Sequence, residues 1–308
     1  MPSHIFTRLG MWEDSIASNL KSEAAARELM RRKNFGGGSR EELHAMDYLA
    51  YAYLQTGQDS KARQVLAKLS AMRTVDEPIF SVAYAATAIP ARLALERRQW
   101  TEAANLELPD NVGALAPMEN FQWAAAHIHF ARAVGAARSG NSSAARVEVA
   151  KLGDIEQKLN ISPGSYDWKA QVAIARQVAA AWLAKAEGRN DEAVRVMRSA
   201  AELDDGLEKH PVTPGAILPA REQLGELLLE LGRPAEALHE FEASLKRAPR
   251  RLGGTYGAAR AAKLLGDDVK AQEYYIAVVE LTKNGEASRP EINEARAAAK
   301  LAARNGRI

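Results

Sequence analysis

Histidine is the residue of this sequence whose chemistry is most versatile, because imidazole binds metals and acts as a general base near neutral pH. The chain has six, at His4, His44, His127, His129, His210 and His239. None belongs to a His-x-x-x-His or His-Glu-x-x-His motif, which would place two ligands on one helix face. Only His4 and His44, together with Asp47, are expected to converge, and structural zinc sites usually need three or four ligands. We predict no metal and no cofactor, and keep as an alternative a small-ligand or hydrolytic site at these three residues.

Other motifs of catalysis are missing from the sequence. Gly36-Gly37-Gly38 lacks the Lys-Ser/Thr pair that follows a phosphate-binding loop. The Gly-x-Ser-x-Gly motif of hydrolases does not occur. Asp204-Asp205 and Asp267-Asp268 are expected at helix ends, where carboxylates cap or remain solvated. The sequence therefore predicts a protein that is not an enzyme.

One segment stands out as a loop that could touch a ligand, at His210–Pro219, with three prolines in ten residues. Lys209, His210 and Thr213 are its candidate binding residues. Pro211 and Pro214 restrict the residues before them to extended geometry, so the imidazole would be held in place. The competing interpretation is structural, namely that the loop fastens one pair of helices to the next.

Composition indicates a folded protein and argues against nucleic acid as the partner. Of 308 residues, 47% are hydrophobic, and 41 basic side chains face 39 acidic ones, for a net charge of +2. Basic clusters occur at 27–40 and 246–251, both at expected helix ends. No stretch approaches the roughly 18 apolar residues of a membrane span. The chain has no cysteine, which leaves the compartment open; we favour the cytoplasm, with the periplasm as the alternative.

The elements that position these residues are helices, because apolar residues recur at spacings of three and four and alanine is abundant. The segment 224–232 has the sequence Leu-Gly-Glu-Leu-Leu-Leu-Glu-Leu-Gly, and Ala237, Phe241 and Pro249 follow it. This pattern resembles the tetratricopeptide repeat, in which two antiparallel helices cross at small residues. Gly232 suits the left-handed turn between the helices, and Phe241 would fill the gap between neighbouring units.

The same pattern recurs along the chain and defines the predicted units. Turn residues are expected at Gly10, Gly57, Arg98, Gly140, Gly188, Gly232 and Gly266, each followed five residues later by a small residue. We predict one all-α domain over 1–308, a right-handed superhelix of about seven helix pairs with a partial first pair. The units are 1–33, 40–73, 80–106, 119–159, 167–204, 217–249 and 252–284, with a capping helix at 290–305. A linker is expected at Leu108–Pro117.

First helices of such units line a concave groove, and the repeat register predicts the side chains that face it. They are His4, His44, Asp47, Tyr51, Arg92, His127, Trp182, Lys185, Tyr256 and Arg260. The stripe is polar, of mixed charge and contains aromatic residues, which suits a peptide or a protein partner. Because any outward helix face is polar, ordinary solvated surface is the competing interpretation.

Further segments are similar to a bacterial family of tetratricopeptide proteins. They are Met-Pro-Ser-His-Ile-Phe-Thr-Arg-Leu-Gly-Met-Trp at 1–12 and Lys-His-Pro-Val-Thr-Pro-Gly at 209–215. The resemblance implies a helical-repeat fold and says little about activity. It also implies that more helices precede the first motif, so we expect a truncated N-terminus, with a short natural start as the alternative. A truncated first unit would expose apolar surface and favour a homodimer.

Overall fold

A computed structural model describes residues 2–161, 165–286 and 289–304, with side chains up to residue 301. Residue 1 of the first predicted unit and residue 305 of the predicted cap lie outside these ranges. Over the described residues the chain is helical, with an isolated backbone bridge between Gly38 and Val75 and no strand. None of the described helices combines the length and the apolar composition that crossing a membrane requires. The prediction of an all-α helical-repeat fold is confirmed.

The helices follow one another in antiparallel pairs. In chain order they are α1 (Pro2–Arg8), α2 (Trp12–Arg32), α3 (Arg40–Gln55), α4 (Asp59–Ala71), α5 (Phe80–Glu96), α6 (Trp100–Ala104), α7 (Val112–Leu115), α8 (Ala125–Arg138), α9 (Ser142–Lys158), α10 (Trp168–Ala186), α11 (Asn190–Gly206), α12 (Ala220–Glu230), α13 (Pro234–Arg247), α14 (Leu252–Leu264), α15 (Asp268–Leu281) and α16 (Pro290–Arg304). A 3-10 turn at Gln122–Ala124 precedes α8. Most helices pack mainly on their neighbours in the chain, as in solenoid proteins, whereas α5 packs mainly on α3 and α8, and α6 packs mainly on α8.

Turns between paired helices form where the sequence predicts them. All seven predicted turn residues, Arg98 included, have positive φ angles. Glycine enters this region without a Cβ clash, which explains its use at six of the seven turns. The small residues five positions later, from Ser15 to Ala271, are buried where the two helices of each pair cross.

Phe241 shows how neighbouring units interlock. Its ring is buried, and it lies between Gly225 of its own unit and Gly257 of the next. A Cβ atom added at Gly257 would lie 2.3 Å from the ring, and one at Gly225 would lie 2.9 Å from it. The two glycines therefore let the backbones of α12 and α14 approach a large aromatic side chain closely.

The predicted linker at Leu108–Pro117 contains a single-turn helix, α7. Asn111, at its start, donates hydrogen bonds to the carbonyl oxygens of Leu69 and Met72, at 2.8 and 2.5 Å. These carbonyl groups belong to the C-terminal end of α4, where the helix provides no further N–H groups to bond them. The segment is thus fixed to the end of α4.

The solenoid closes on itself, so that its first and last units are in contact. Trp12 Nε1 donates to the carbonyl oxygen of Arg250 at 2.7 Å. The side chain of Gln55 accepts from the backbone N–H of Leu252 at 2.9 Å. Arg289 Nε lies 3.0 Å from both carboxylate oxygens of Asp59. The concave face of the early units is therefore covered by the later part of the same chain.

Candidate functional site

Most of the predicted groove residues lie in the interior of the closed solenoid, whereas Arg260 is exposed. His44, Asp47, Tyr51, Arg92, Trp182 and Tyr256 are all buried, and Arg92 has no exposed surface at all. This differs from the open, solvated groove expected from the sequence. The physical reason is closure of the superhelix. Side chains on the concave face of the early units point toward the superhelix axis, and the later units lie on the other side of that axis.

His4 and His44 converge, as the sequence suggested, but Asp47 does not join them. The Nε2 atoms of the two histidines are 2.9 Å apart, and the His4 ring stacks on Tyr48. Burial lowers the pKa of both rings, that of His44 to about 4, so each is neutral at pH 7 and one donates to the other. The Asp47 carboxylate is directed instead to Arg92 Nη1, at 2.5 Å. Among the described residues, no group of three or more His, Asp or Glu side chains converges as metal ligands would.

Tyr51 belongs to a buried network centred on Arg251. The guanidinium donates to Glu222, to Glu96 at 2.8 Å and to the Tyr51 hydroxyl at 2.5 Å. Each of these partners comes from a different helix, and Arg251 has no exposed surface. The sequence placed Arg251 in a basic cluster at a helix end, and a run of charges alone does not show which member is buried. The network joins the early and late units and leaves Arg251 unavailable to an external partner.

A segment of the chain, His210–Gly215, runs through the concave interior next to these residues. Arg92 Nη2 and the Tyr84 hydroxyl both donate to the carbonyl oxygen of Gly215, at 2.6 Å each. The Tyr48 hydroxyl donates to the carbonyl oxygen of Val212 at 3.0 Å. The two sets of candidates derived from the sequence, the groove stripe and the proline-containing loop, therefore meet at one place.

His210 organises the segment and faces an aromatic cluster. Its Nδ1 accepts the backbone N–H of Val212 at 3.1 Å. Its ring stacks on Trp168 with centroids 5.2 Å apart and meets Tyr166 edge-on at 4.7 Å. Phe80 contacts the same ring. The imidazole is thus held by π contacts and by its own loop, and burial lowers its pKa.

The aromatic cluster forms a wall of a cleft of about 730 Å³, counting the solvent at its mouth. Lys209, His210 and Thr213 all line this cleft, with Tyr166, Trp168 and Gln171 among the other lining residues. A second cavity shares Trp168 and Gln171 and continues to His127 and Trp123. We call the two together the aromatic cleft.

The cationic side chains that line the cleft each contact another group of the protein. Arg221 contacts Asp205 and Glu240. Arg247 Nη1 donates to the carbonyl oxygen of Asp205 at 2.9 Å, and Lys209 Nζ donates to that of Arg247 at 2.8 Å. Burial and the neighbouring arginines lower the pKa of Lys209 to about 8. The cleft therefore presents aromatic side chains and backbone together with polar side chains such as Gln171 and Glu208.

The remaining predicted groove residues lie in other parts of the molecule, from the buried Trp182 to the exposed Arg260. His127 contacts Thr87 Oγ1 at 2.9 Å and lines the second cavity; burial lowers its pKa to about 3. Trp182 Nε1 donates to Gln223 at 2.9 Å. The side chains of Lys185 and Glu230 form an ion pair, Tyr256 donates to Glu294, and Arg260 lies over the Tyr256 ring. These contacts hold helices together, and none of the last four residues lines the aromatic cleft.

Residues 218–251, which form α12 and α13, match the family model of the tetratricopeptide repeat. The chain is also similar to a solved structure, the crystal structure of a tetratricopeptide repeat protein from Parabacteroides merdae, with 12% sequence identity and a TM-score of 0.49. That similarity covers 98% of this chain and 99% of the other. No curated protein matches the sequence. The chain thus contains a tetratricopeptide repeat within an all-α helical-repeat fold.

Proposed function

We propose that this protein is a non-catalytic scaffold that binds a segment of a partner protein in the aromatic cleft. The observation that carries the proposal is the wall formed by Tyr166, Trp168 and His210, which are only partly buried and line a cleft that opens to solvent. Aromatic side chains in a recess are the usual energetic centres of protein interfaces.

The paired charges support a protein segment over a charged small ligand. An anion would need an unpaired cation in the cleft, whereas Arg221, Arg247 and Lys209 each have a protein partner. A peptide, in contrast, offers apolar side chains to the rings and carbonyl and N–H groups to partly buried polar side chains such as Gln171. The alternative site at His4, His44 and Asp47 has no comparable support, since Asp47 is engaged by Arg92.

Selection from a displayed library of random 12-residue peptides tests this proposal. Peptides selected on the wild-type chain should bind the Tyr166→Ser variant at least tenfold more weakly, because the variant loses one wall of the cleft. Tyr274→Ser is the matched control: Tyr274 is also partly buried, but it bonds to Glu242 away from the cleft. Recovery of no binding peptide, or equal affinity for wild type and Tyr166→Ser, would contradict the proposal.

A further inference from the structure

The segment His210–Gly215 is held by the early helices in the way that a groove holds a bound peptide. Side chains of three separate helices donate to its main-chain carbonyl oxygens. Arg8 of α1 reaches that of His210 at 3.4 Å, Tyr48 of α3 that of Val212 at 3.0 Å, and Tyr84 of α5 that of Gly215 at 2.6 Å. Arg92 adds a second bond to Gly215, at 2.6 Å, and His4 contacts the backbone of Pro211. We call these five side chains, His4, Arg8, Tyr48, Tyr84 and Arg92, the donor groove.

The donor groove donates hydrogen bonds to the carbonyl oxygens of the segment. It offers no acceptor for the N–H groups of Val212 and Thr213, which are satisfied within the segment. Pro211 and Pro214 have no backbone N–H. The N–H groups of Val212 and Thr213 lie 3.1 and 3.4 Å from Nδ1 of the segment's own His210. Of the six residues of the segment, two therefore lack an N–H group and two more satisfy theirs within the segment, which suits a groove that offers donors.

Recognition of this kind depends on backbone geometry more than on side chains. Any peptide whose carbonyl oxygens take up the correct positions can accept these hydrogen bonds, whatever its side chains are. Proline favours this, because its fixed φ angle restricts the conformations of a short segment before binding and reduces the entropy lost on binding. The chemistry of the groove thus specifies a class of ligand, a short segment that contains proline and bends as residues 211–213 do.

We propose that the donor groove is a binding site for proline-containing segments that bend in this way, and that His210–Gly215 is its resident occupant, which a partner's segment replaces. This inference rests on the proposed function only in that a partner protein supplies such a segment. The tethered occupant competes at the high effective concentration of an intramolecular ligand. Access to the groove is thereby linked to release of the loop.

A fluorescein-labelled peptide Lys-His-Pro-Val-Thr-Pro-Gly, the sequence of residues 209–215, tests the inference by fluorescence anisotropy. In one variant of the full chain, residues 209–215 are replaced by a Gly/Ser linker of the same length, which leaves the groove intact and unoccupied. The peptide should bind this variant at least tenfold more tightly than wild type. Adding Tyr48→Phe and Tyr84→Phe to the variant removes two donors and should weaken binding on the order of tenfold.

His210→Ala in the full chain provides a second reading if the linker variant does not fold. It removes the internal acceptor and the stacking that hold the segment, and it touches no side chain of the donor groove. The peptide should bind it more tightly than wild type, and a control peptide with both prolines changed to alanine should bind more weakly.

Absence of peptide binding to the folded variants would overturn the inference, and so would binding that is equal in wild type or unaffected by the two Tyr→Phe changes. The library selection on the aromatic cleft is read independently, with Tyr166→Ser. Failure of the inference therefore does not imply failure of the proposed function, and each is recognised separately.

Discussion

At the scale of single residues, the interior is unusual for its charged side chains, and their partners explain why they are tolerated. Arg251 is fully buried and contacts Glu96 and Glu222. Removing one member of such a group leaves the other charges without compensation in a medium that solvates them poorly. Because these residues are buried and do not contact a ligand, removing one of them should lower the stability of the fold.

We expect Arg251→Met to lower the free energy of unfolding by about 3–5 kcal/mol, because Glu96 and Glu222 then remain buried without a cation. Urea denaturation followed by circular dichroism measures this. Arg189→Met is the matched control, since Arg189 also contacts two glutamates, Glu187 and Glu192, but at the surface. Equal stability losses in the two variants would show that burial of Arg251 is not the decisive factor.

His127 predicts a dependence of stability on pH. Burial lowers its pKa from 6.5 to about 3 in the folded state. Between these two pH values the unfolded chain is protonated at His127 and the native chain is not. Its contribution is fully present above pH 6.5 and is lost as the pH falls toward 3, with a slope that approaches about 1.4 kcal/mol per pH unit. Asp47 acts in the opposite direction, since burial raises its pKa to about 6.

Because Asp47 is common to both proteins, comparison of wild type with His127→Gln isolates the histidine. Between pH 7 and pH 5, wild type should lose more free energy of unfolding than the variant, by roughly 1 kcal/mol or more. Urea titrations at the two pH values provide the measurement. A loss in His127→Gln as large as that in wild type would show that His127 does not resist protonation in the native state.

At the scale of helices and turns, most of the architecture was accessible from the sequence. Each turn needs a positive φ angle, and each helix crossing needs a small residue. Both requirements restrict the residue type at a fixed spacing in the sequence, as at Gly188 and Ala193. Helix α7 could not be recognised in this way, because a helix of four residues is too short to show periodicity in the sequence. Its position depends on the contacts of Asn111 with the end of α4.

The interlocking at Phe241 gives a prediction for this scale. Gly257→Ala should destabilise the protein by about 1–3 kcal/mol, because the added methyl group overlaps the Phe241 ring. Gly206→Ala, in α11, is the control: nothing lies within 4 Å of its added methyl group, so it should be neutral or stabilise by up to about 1 kcal/mol. Thermal unfolding compares the two, and a stable Gly257→Ala variant would contradict the described packing of α12, α13 and α14.

At the scale of the whole molecule, the sequence could not show how the superhelix closes. Closure arises from small rotations between units that accumulate along the chain, and it brings together residues as distant as Asp59 and Arg289. A polar stripe such as Asp47, Tyr51 and Arg92 therefore had the pattern of a groove surface, although its partners lie in the later part of the chain. For the same reason, the sequence could not show that the loop at His210 meets this stripe.

The most direct test of the central claim, that the aromatic cleft receives a segment of a partner protein, uses the absence of cysteine from the chain. Gln171→Cys places a single thiol in the cleft, and Ser199→Cys places one on the exposed face of α11. The affinity of a library-selected peptide is measured before and after reaction with N-ethylmaleimide. We predict that modification at 171 weakens binding at least tenfold and that modification at 199 has no effect. Unchanged binding after complete modification at 171 would contradict the account.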